Sequence, residues 1–371
     1  MKLKTIVFLI FLFLSSKHYT QELKTIALKD SLEQLLLKKK IPGAFIAVVS
    51  KDSILFQETF GKANLEDNSA VNKEHLFRIA SITKTFTAMA IMKLVEEGKL
   101  SLEDELRKIA PEISFTNEWE KTHPVRIKHL LEHKAGFEDL HFSHLVIKNQ
   151  SEFADTTLEG IALYEKSLKC AWKPGLVTSY SNPGYLILAH LIENASGMSH
   201  QAYITTAILE PLQIVNTRFS KTLLKTDLVS KGYMYIENEI EPAEVRDYKI
   251  VETASGLLSN ADDMVRLLQF FLNENLQDSL NVISKKSVLE IETLHGDLER
   301  SNNIQMGYSL GLEDRVFGDE HLLFKGNSGL TDGFTTNIIY SRDHNLGIAM
   351  SANLFGVGHR DMLNLLVNEF T

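Results

Sequence analysis

Cysteine, proline and long apolar runs are all scarce in this sequence. Its 371 residues include seven prolines and a single cysteine, Cys170, and they contain no low-complexity segment. One cysteine excludes an internal disulfide, so the fold must rely on its core, and Cys170 itself is expected to be a small buried side chain with nothing nearby to activate it. With 44% hydrophobic residues, the chain has the material for one large globular domain or two closely built ones.

The apolar run that does occur lies at the start of the chain. Two lysines precede ten mostly apolar residues, Thr5 to Leu14, and a polar stretch follows. This is the layout of a secretory signal peptide, and its apolar core is too short to span a bilayer comfortably. We therefore predict a signal peptide over residues 1–20 and an exported protein, periplasmic or secreted, with an uncleaved membrane anchor as the alternative.

Positive charge is also in short supply. The net charge is −9, and removing residues 1–20 would take away Lys2, Lys4 and Lys17 but no acid, which gives −12. A chain this acidic is a poor partner for nucleic acid or an anionic membrane surface. We expect a small-molecule or peptide substrate, no nucleic acid, and no stable membrane insertion once the signal is cleaved.

The pattern of strands and helices predicts the fold class. Near the start, "GAFIAVVS" and "SILFQETFG" predict a hairpin, and near the end "MGYSLGLE", "HLLFKGNSG", "GFTTNIIYS" and "LGIAMSAN" predict four strands, with "RDHN" as the last turn. A final helix is expected over residues 358–369, and Ser259 with Asp262 is expected to cap another. The prediction is an α/β (α+β) fold in which an antiparallel sheet, flanked by helices, is built from both termini around a mostly helical insert. The sheet part would comprise about 25–80 and 250–371, and the helical part about 81–249, within one domain at 21–371.

A lysine in an otherwise apolar helix is the first chemical signal. In "FRIASITKTFTAMAIMKLVEEGK", Lys84 follows Ser81 by three residues, which places both side chains on one helical face. Poor solvation favours the neutral amine, which can act as a base for the hydroxyl. The alternative is a capping serine followed by a lysine that reaches out to solvent.

Two further segments carry groups that suit the same chemistry. "TSYSNPG" presents Tyr180 as a second proton-transfer group and Asn182 as an amide for the substrate or the lysine. In "KGNSGLTDGF", an N–H near Leu330 could join that of Ser81 in an oxyanion hole, beside Asn327, Ser328 and Gly329. The alternatives are a simple turn over a packed tyrosine and an ordinary bend between edge strands.

At these three places the chain resembles the serine β-lactamase and penicillin-binding protein superfamily, and most closely its class C β-lactamase-like branch, which includes DD-peptidases and esterases. The likeness runs from about Ile41 to the last helix. It implies Ser81 as the acylated nucleophile, Lys84 and Tyr180 as its partners in proton transfer, and Asn182 as a substrate-binding amide. It implies no cofactor and no metal.

The third motif departs from the superfamily pattern. It usually begins with lysine or histidine, whereas Asn327 stands there in this chain, so recognition of a substrate carboxylate should be weaker. Lys325, two residues earlier, is a candidate to compensate. His133, just before "KAGF", is expected to be structural. The sequence thus predicts a serine hydrolase that acts by an acyl-enzyme on an ester or amide, of the esterase or D-amino-acid peptidase type.

Three other interpretations were weighed. A non-catalytic binding protein on the same fold, for cell-wall or peptide ligands, is the main alternative. "GNSGL" misses the nucleophile elbow of other hydrolases because Leu330 stands where the last glycine is required. The pair His141 and His144 has a spacing that suits a metal, but no third ligand is evident.

Overall fold

The computed structural model describes residues 24–140, 156–219, 228–244, 252–295 and 306–371. The predicted signal peptide and the pair His141 and His144 lie outside these ranges. Within them, no helix is both long enough and apolar enough to span a bilayer.

The described residues form twelve β-strands, twelve α-helices and three shorter helical turns. The strands are β1 (Gly43–Val49), β2 (Ile54–Asn64), β3 (Ser69–Ala70), β4 (Phe77–Arg78), β5 (Arg218–Phe219), β6 (Tyr233–Ile236), β7 (Glu239–Pro242), β8 (Leu257–Ser259), β9 (Glu313–Phe317), β10 (Leu322–Thr331), β11 (Phe334–Ser341) and β12 (Leu346–Ala352). The α-helices are α1 (24–38), α2 (Thr83–Glu96), α3 (Leu106–Ile109), α4 (Ile127–Leu131), α5 (Thr157–Leu163), α6 (Asn182–Ser196), α7 (His200–Ile204), α8 (Glu252–Ser255), α9 (Ala261–Leu272), α10 (Glu274–Ser279), α11 (Lys285–Glu292) and α12 (Arg360–Phe370). Single turns of 3-10 helix at Ala80–Ile82 and Glu165–Ser167 and a π-helical turn at Thr205–Leu209 complete them.

Seven strands form one antiparallel sheet in the order β3-β2-β1-β12-β11-β10-β9. The two ends of the chain meet at its centre, where β1 pairs with β12 and Ala44 lies opposite Ala352. Helices cover both faces. The predicted class is therefore confirmed: a mixed α/β fold whose large antiparallel sheet comes from both termini.

The central strand β1 shows why these sequences are apolar without alternation. All seven of its residues are buried, because the sheet separates two cores. Phe45, Ala47 and Val49 face the core that includes α2, α6 and α9, whereas Ala44, Ile46 and Val48 face the core formed with α1 and α12. Successive side chains of a strand point to opposite faces, so a strand covered on both sides is apolar throughout.

Three local predictions differ from the structure by a few residues. "MGYSLGLE" is not a strand; β9 begins at its last residue, Glu313, because the preceding chain turns at Gly311 (φ +79°), where a Cβ would lie 2.9 Å from Ala88 Cβ on α2. Helix α9 is capped by Asn260, whose side chain accepts from the N–H of Asp263 at 3.0 Å, while Ser259 still belongs to β8. The final helix starts at Arg360, two residues later than expected.

A small three-stranded sheet, β4-β8-β5, delivers the chain to the candidate site. Arg78 pairs with Leu258, and the next residues turn directly into α2. Helix α2 is packed among α6, α8 and α11, the 3-10 turn that precedes it lies against β10 and β11, and most of the helix residues are buried. This explains the near absence of a polar face that its sequence shows.

Candidate active site

Ser81 lies at the junction of the small sheet and the buried helix. It is the central residue of the 3-10 turn Ala80–Ile82, which leads into α2. The first residue of this turn, Ala80, has a positive φ of 48°. Strand β10 passes so close behind it that a Cβ on Gly329 would stand 2.2 Å from the Ile79 carbonyl oxygen. Only glycine permits this approach. Ser81 is half-buried, with its hydroxyl at the wall of a pocket.

Lys84 is the second residue of α2, three residues after Ser81, and is completely buried. Its Nζ is 3.0 Å from Ser81 Oγ, 2.8 Å from Asn182 Oδ1 and 2.9 Å from the Ala254 carbonyl oxygen. Burial lowers the pKa of this amine to about 7, against an opposing effect of the negative charge of Asp139. Near neutral pH, a large fraction of Lys84 is therefore uncharged.

The three contacts of Nζ suit a neutral amine. Two of its neighbours, Asn182 Oδ1 and the Ala254 carbonyl, can only accept, so they take the two N–H groups of the neutral form. The lone pair then faces Ser81 Oγ, which can donate its proton. This is the geometry that a general base needs.

Tyr180 meets Ser81 from the other side. Its hydroxyl lies 2.8 Å from Ser81 Oγ, and its ring lies 4.8 Å from Lys84 Nζ. Burial raises the pKa of this phenol well above its ordinary value, so the group is protonated and donates to Ser81. The tyrosine is thus placed to deliver a proton.

Histidine 133 supports that tyrosine. Its ring lies 4.1 Å from the ring of Tyr180 and 4.6 Å from that of Tyr308, and Nδ1 accepts from the backbone N–H of Ser181 at 3.1 Å. Burial, and then the charge of Lys84, keep its pKa well below the usual range. His133 is therefore neutral and packs beneath the site, as a structural residue would.

Asn182 is the first residue of α6 and bridges Lys84 to the opposite wall. Pro183 follows it, and the preceding Ser181 caps the helix by accepting from the N–H of Gly184. The backbone N–H and the side-chain Nδ2 of Asn182 both donate to Asp139 Oδ1 at 2.9 Å. The predicted amide is thus fixed at both ends.

The third motif forms the rim of the pocket, but Asn327, which was predicted to bind substrate, turns its amide into the protein. Asn327 is only 2% exposed, and its Nδ2 donates to the carbonyl oxygens of Ser81 and Gly311 at 3.2 and 3.0 Å. Asn327 therefore connects β10 to the 3-10 turn that carries Ser81. Ser328 Oγ donates to Glu313 at 3.0 Å, and Leu330 is half exposed at the pocket edge.

Lys325 does not replace the missing cation. Its Nζ pairs with Asp314 at 2.5 Å and donates to the Glu292 carbonyl at 2.8 Å, which holds it away from the pocket. The pocket has a volume of about 610 Å³. Its cationic side chains among the described residues are Arg315 and Arg360, with Glu313 close to Arg315.

The eight residues predicted to be catalytic or substrate-binding lie together at this one place. Lys84 lies behind the wall of the pocket, in contact with Ser81. The other seven line the pocket: Ser81, Tyr180, Asn182, Asn327, Ser328, Gly329 and Leu330. Asp139, the Ala254 carbonyl and the charged pair Glu313 and Arg315 also lie at the site, although no sequence motif predicted them. A backbone carbonyl leaves no trace in a sequence, and Asp139 lies outside the quoted motifs, so no pattern pointed to either.

Other chemistries find little support among the described residues. They contain no group of three or more histidine, cysteine, aspartate or glutamate side chains that could hold a metal ion. Cys170 is buried, and burial raises the pKa of its thiol to about 12, so it is not an activated nucleophile.

Comparison with protein families assigns nearly the whole chain. The family model described as Beta-lactamase matches residues 28–369. Protein flp of Staphylococcus aureus is 28% identical over 327 residues, which are 87% of this chain but 62% of flp, so the chain spans about six tenths of that relative. Penicillin-binding protein 4* of Bacillus subtilis is 28% identical over 336 residues, covering 85% of this chain and 69% of the relative.

Solved structures agree on the fold. The octameric penicillin-binding protein homologue from Pyrococcus abyssi is 27% identical with a TM-score of 0.76, covering 92% of this chain and 76% of that one. EstCE1, described as a hydrolase with promiscuous acyltransferase activity, is 17% identical with a TM-score of 0.74 and coverages of 95% and 100%. A D-stereospecific amidohydrolase from Streptomyces sp. is 19% identical, also at 0.74, with coverages of 93% and 98%.

Proposed function

Because this chain belongs to the Beta-lactamase family, we propose that it acts as a serine hydrolase that forms an acyl-enzyme on Ser81 with an ester or amide substrate. The family supports the general serine-hydrolase type. The role of Ser81 rests on one observation, the placement of its Oγ between a buried amine at 3.0 Å and a protonated phenol at 2.8 Å.

The acylation step follows from that placement. Neutral Lys84 takes the proton of Ser81 while Oγ forms a bond to the acyl carbon. The bond from that carbon to the leaving group then breaks as Tyr180 supplies a proton to the departing oxygen or nitrogen. The proton that Lys84 took from Ser81 afterwards restores the Tyr180 phenol, so both groups return to their starting states. Water, deprotonated by the same groups, releases the acyl group in the second half.

The carbonyl oxygen needs donors as negative charge develops on it. We assign this role to the N–H of Ser81, in the first turn of a helical segment, and to that of Leu330 on β10. The second N–H of Asn182 Nδ2 is available for a substrate amide carbonyl, since the first is held by Asp139.

The substrate class is narrowed by the third motif. Asn327 carries no charge, and its amide is engaged inside the protein, so it offers little to the carboxylate of a penicillin or a D-alanyl terminus. We therefore favour an esterase, or a D-amino-acid peptidase whose substrate is not held by a terminal carboxylate, with weak reaction towards penicillins. Export, as the first twenty residues predict, would place such an activity outside the cytoplasm.

Intact-protein mass spectrometry tests the proposal. The chain would be incubated with a fluorophosphonate and separately with benzylpenicillin, beside Ser81→Ala and the control Ser31→Ala, whose hydroxyl bonds within α1 on the exposed surface. We expect a fluorophosphonate adduct in the wild type and in Ser31→Ala, none in Ser81→Ala, and little with penicillin. Equal adducts with both reagents would restore the penicillin-binding interpretation, and no adduct with either would leave a non-catalytic binding protein.

A further inference from the structure

Asp139 is a carboxylate that touches the site without belonging to any of its motifs. It lies on the exposed stretch after the buried residues 129–137, where its Oδ1 accepts two hydrogen bonds from one residue, Asn182. The backbone N–H and the side-chain Nδ2 each donate to it at 2.9 Å. Because one carboxylate oxygen accepts from both the backbone N–H and the side-chain Nδ2, it restrains the position of Asn182 and also the rotation of its amide.

The restraint decides which way the Asn182 amide faces. A carboxylate can only accept, so the group turned to Asp139 must be the NH₂, and Oδ1 must then face Lys84 Nζ, 2.8 Å away. If the amide were flipped, its oxygen would oppose the carboxylate and its NH₂ would oppose the N–H groups of Lys84. Asp139 therefore selects the amide orientation that leaves the Lys84 lone pair to Ser81.

The charge of Asp139 acts on the same amine. Burial lowers the pKa of Lys84, and Asp139 is the charged group that opposes this effect. The other titratable groups around Lys84 are neutral: the phenols of Tyr180 and Tyr185, whose pKa values burial raises, and His133, whose pKa burial lowers.

Helix α8 adds no facing charge that the structure records against the amine. Its Ala254 carbonyl oxygen accepts from Lys84 Nζ, while the carboxylate of Glu252, on the same helix, accepts a hydrogen bond from Gln201.

We propose that Asp139 is a positioning residue that holds the Asn182 amide against Lys84, in the orientation that leaves the lone pair of the amine to Ser81. The proposal deepens the proposed function and rests on it for its catalytic consequence. Without the carboxylate, Asn182 is free to rotate, and the base loses both its orientation and part of its proton affinity.

Four variants separate these contributions. Asp139→Ala removes the acceptor, Asp139→Asn keeps an acceptor oxygen but removes the charge, and Asp139→Glu keeps the charge on a longer arm. Glu138→Gln is the matched control, because it removes one negative charge from the adjacent exposed residue and leaves the carboxylate of Asp139 in place. Each protein would be tested with 4-nitrophenyl butyrate, with active sites counted by fluorophosphonate labelling.

We expect Asp139→Ala to lower kcat per labelled site by about tenfold, the effect of one lost charge-assisted hydrogen bond, with KM changed less than about twofold. Asp139→Asn should keep more of the rate and shift the acidic limb of the pH profile to lower pH, since removal of a nearby negative charge favours the neutral amine. Asp139→Glu should recover part of the loss, and Glu138→Gln should match the wild type. A loss in Asp139→Ala with no shift of the limb in Asp139→Asn would mean a merely structural role and overturn the proposal.

A second readout does not depend on catalysis. The titration of Lys84 would be followed by NMR on protein labelled with [13Cε]lysine and assigned with Lys84→Arg. The midpoint should lie at about 7 in the wild type and in Glu138→Gln and lower in Asp139→Asn. An unmoved midpoint overturns the proposal even in an active enzyme. A shifted midpoint in a chain that never labels at Ser81 upholds the Asp139 contact and refutes the proposed function instead.

Discussion

The two ends of the pocket differ in how their polar groups are arranged. At the Ser81 end, the hydroxyl, the Lys84 amine, the Tyr180 phenol and the Asn182 amide are joined by hydrogen bonds of 2.8–3.0 Å. At the β9–β10 end, formed by Asn327, Ser328, Glu313 and Arg315 and flanked by Arg360, the expected cation is missing from β10 and charges come from other elements. The end to which we assign the chemistry keeps the superfamily pattern, whereas the end to which we assign substrate recognition does not.

This contrast has a physical reason. The base must be desolvated to be neutral, and a buried amine tolerates little change around it, because every lost partner leaves an unpaired polar group. The rim is open to solvent, so charged side chains there can be replaced at small cost. The side chains of Arg315 and Glu313, which lie 3.6 Å apart, are 23% and 30% exposed, whereas Lys84 is completely buried. Reaction type is therefore easier to read from this molecule than substrate.

The largest effect should come from Lys84→Met. This change keeps the volume of the side chain but removes the base, so the rate of Ser81 modification by a fluorophosphonate should fall by about 10³-fold. Lys93→Met, the same substitution at the far end of α2, where the amine bonds to the Asn281 carbonyl, should leave the rate unchanged. Equal rates for both variants would mean that the buried amine does not activate the serine.

Tyr180→Phe should have the next largest effect. It removes the donor to Ser81 Oγ while the ring keeps its contact with the His133 ring, so turnover of 4-nitrophenyl butyrate should fall by about 10²-fold. Tyr235→Phe, on exposed strand β6, is the control. Steady-state kinetics per active site would measure both, and a loss below twofold would remove Tyr180 from the mechanism.

A smaller effect, on stability, is expected at the other end of the pocket. Asn327→Ala leaves the carbonyl oxygens of Ser81 and Gly311 without this donor, which should lower the free energy of unfolding by about 1–3 kcal/mol. Asn275→Ala, at an exposed helical position, should change it by no more than about 0.5 kcal/mol. Denaturant unfolding would compare the two. If Asn327→Ala is as stable as its control, then the hydrogen bonds of Asn327 do not stabilise the contact between β10 and the 3-10 turn that carries Ser81.

The sequence was sufficient for the sheet and for the motifs because both have local signals. Apolar runs bounded by turns marked β1, β2 and β10–β12, and the serine–lysine spacing marked one helical face. What it missed depends on contacts between distant segments. The start of β9 is set by the packing of Gly311 on α2, and the cap of α9 passes to Asn260 because Ser259 is committed to β8. Asp139 acquires its role only where it meets the start of α6.

The most direct test of the central claim is the pH dependence of Ser81 modification by a fluorophosphonate, followed by intact mass. Burial lowers the pKa of Lys84 to about 7, and only the neutral amine can act as a base, so activity is lost as pH falls through that value. The account predicts a rate that rises with a single midpoint near pH 7, with about one tenth of the plateau at pH 6. A rate that shows no midpoint near pH 7 and climbs steadily through pH 9 would contradict it, since the amine would then be charged at neutral pH.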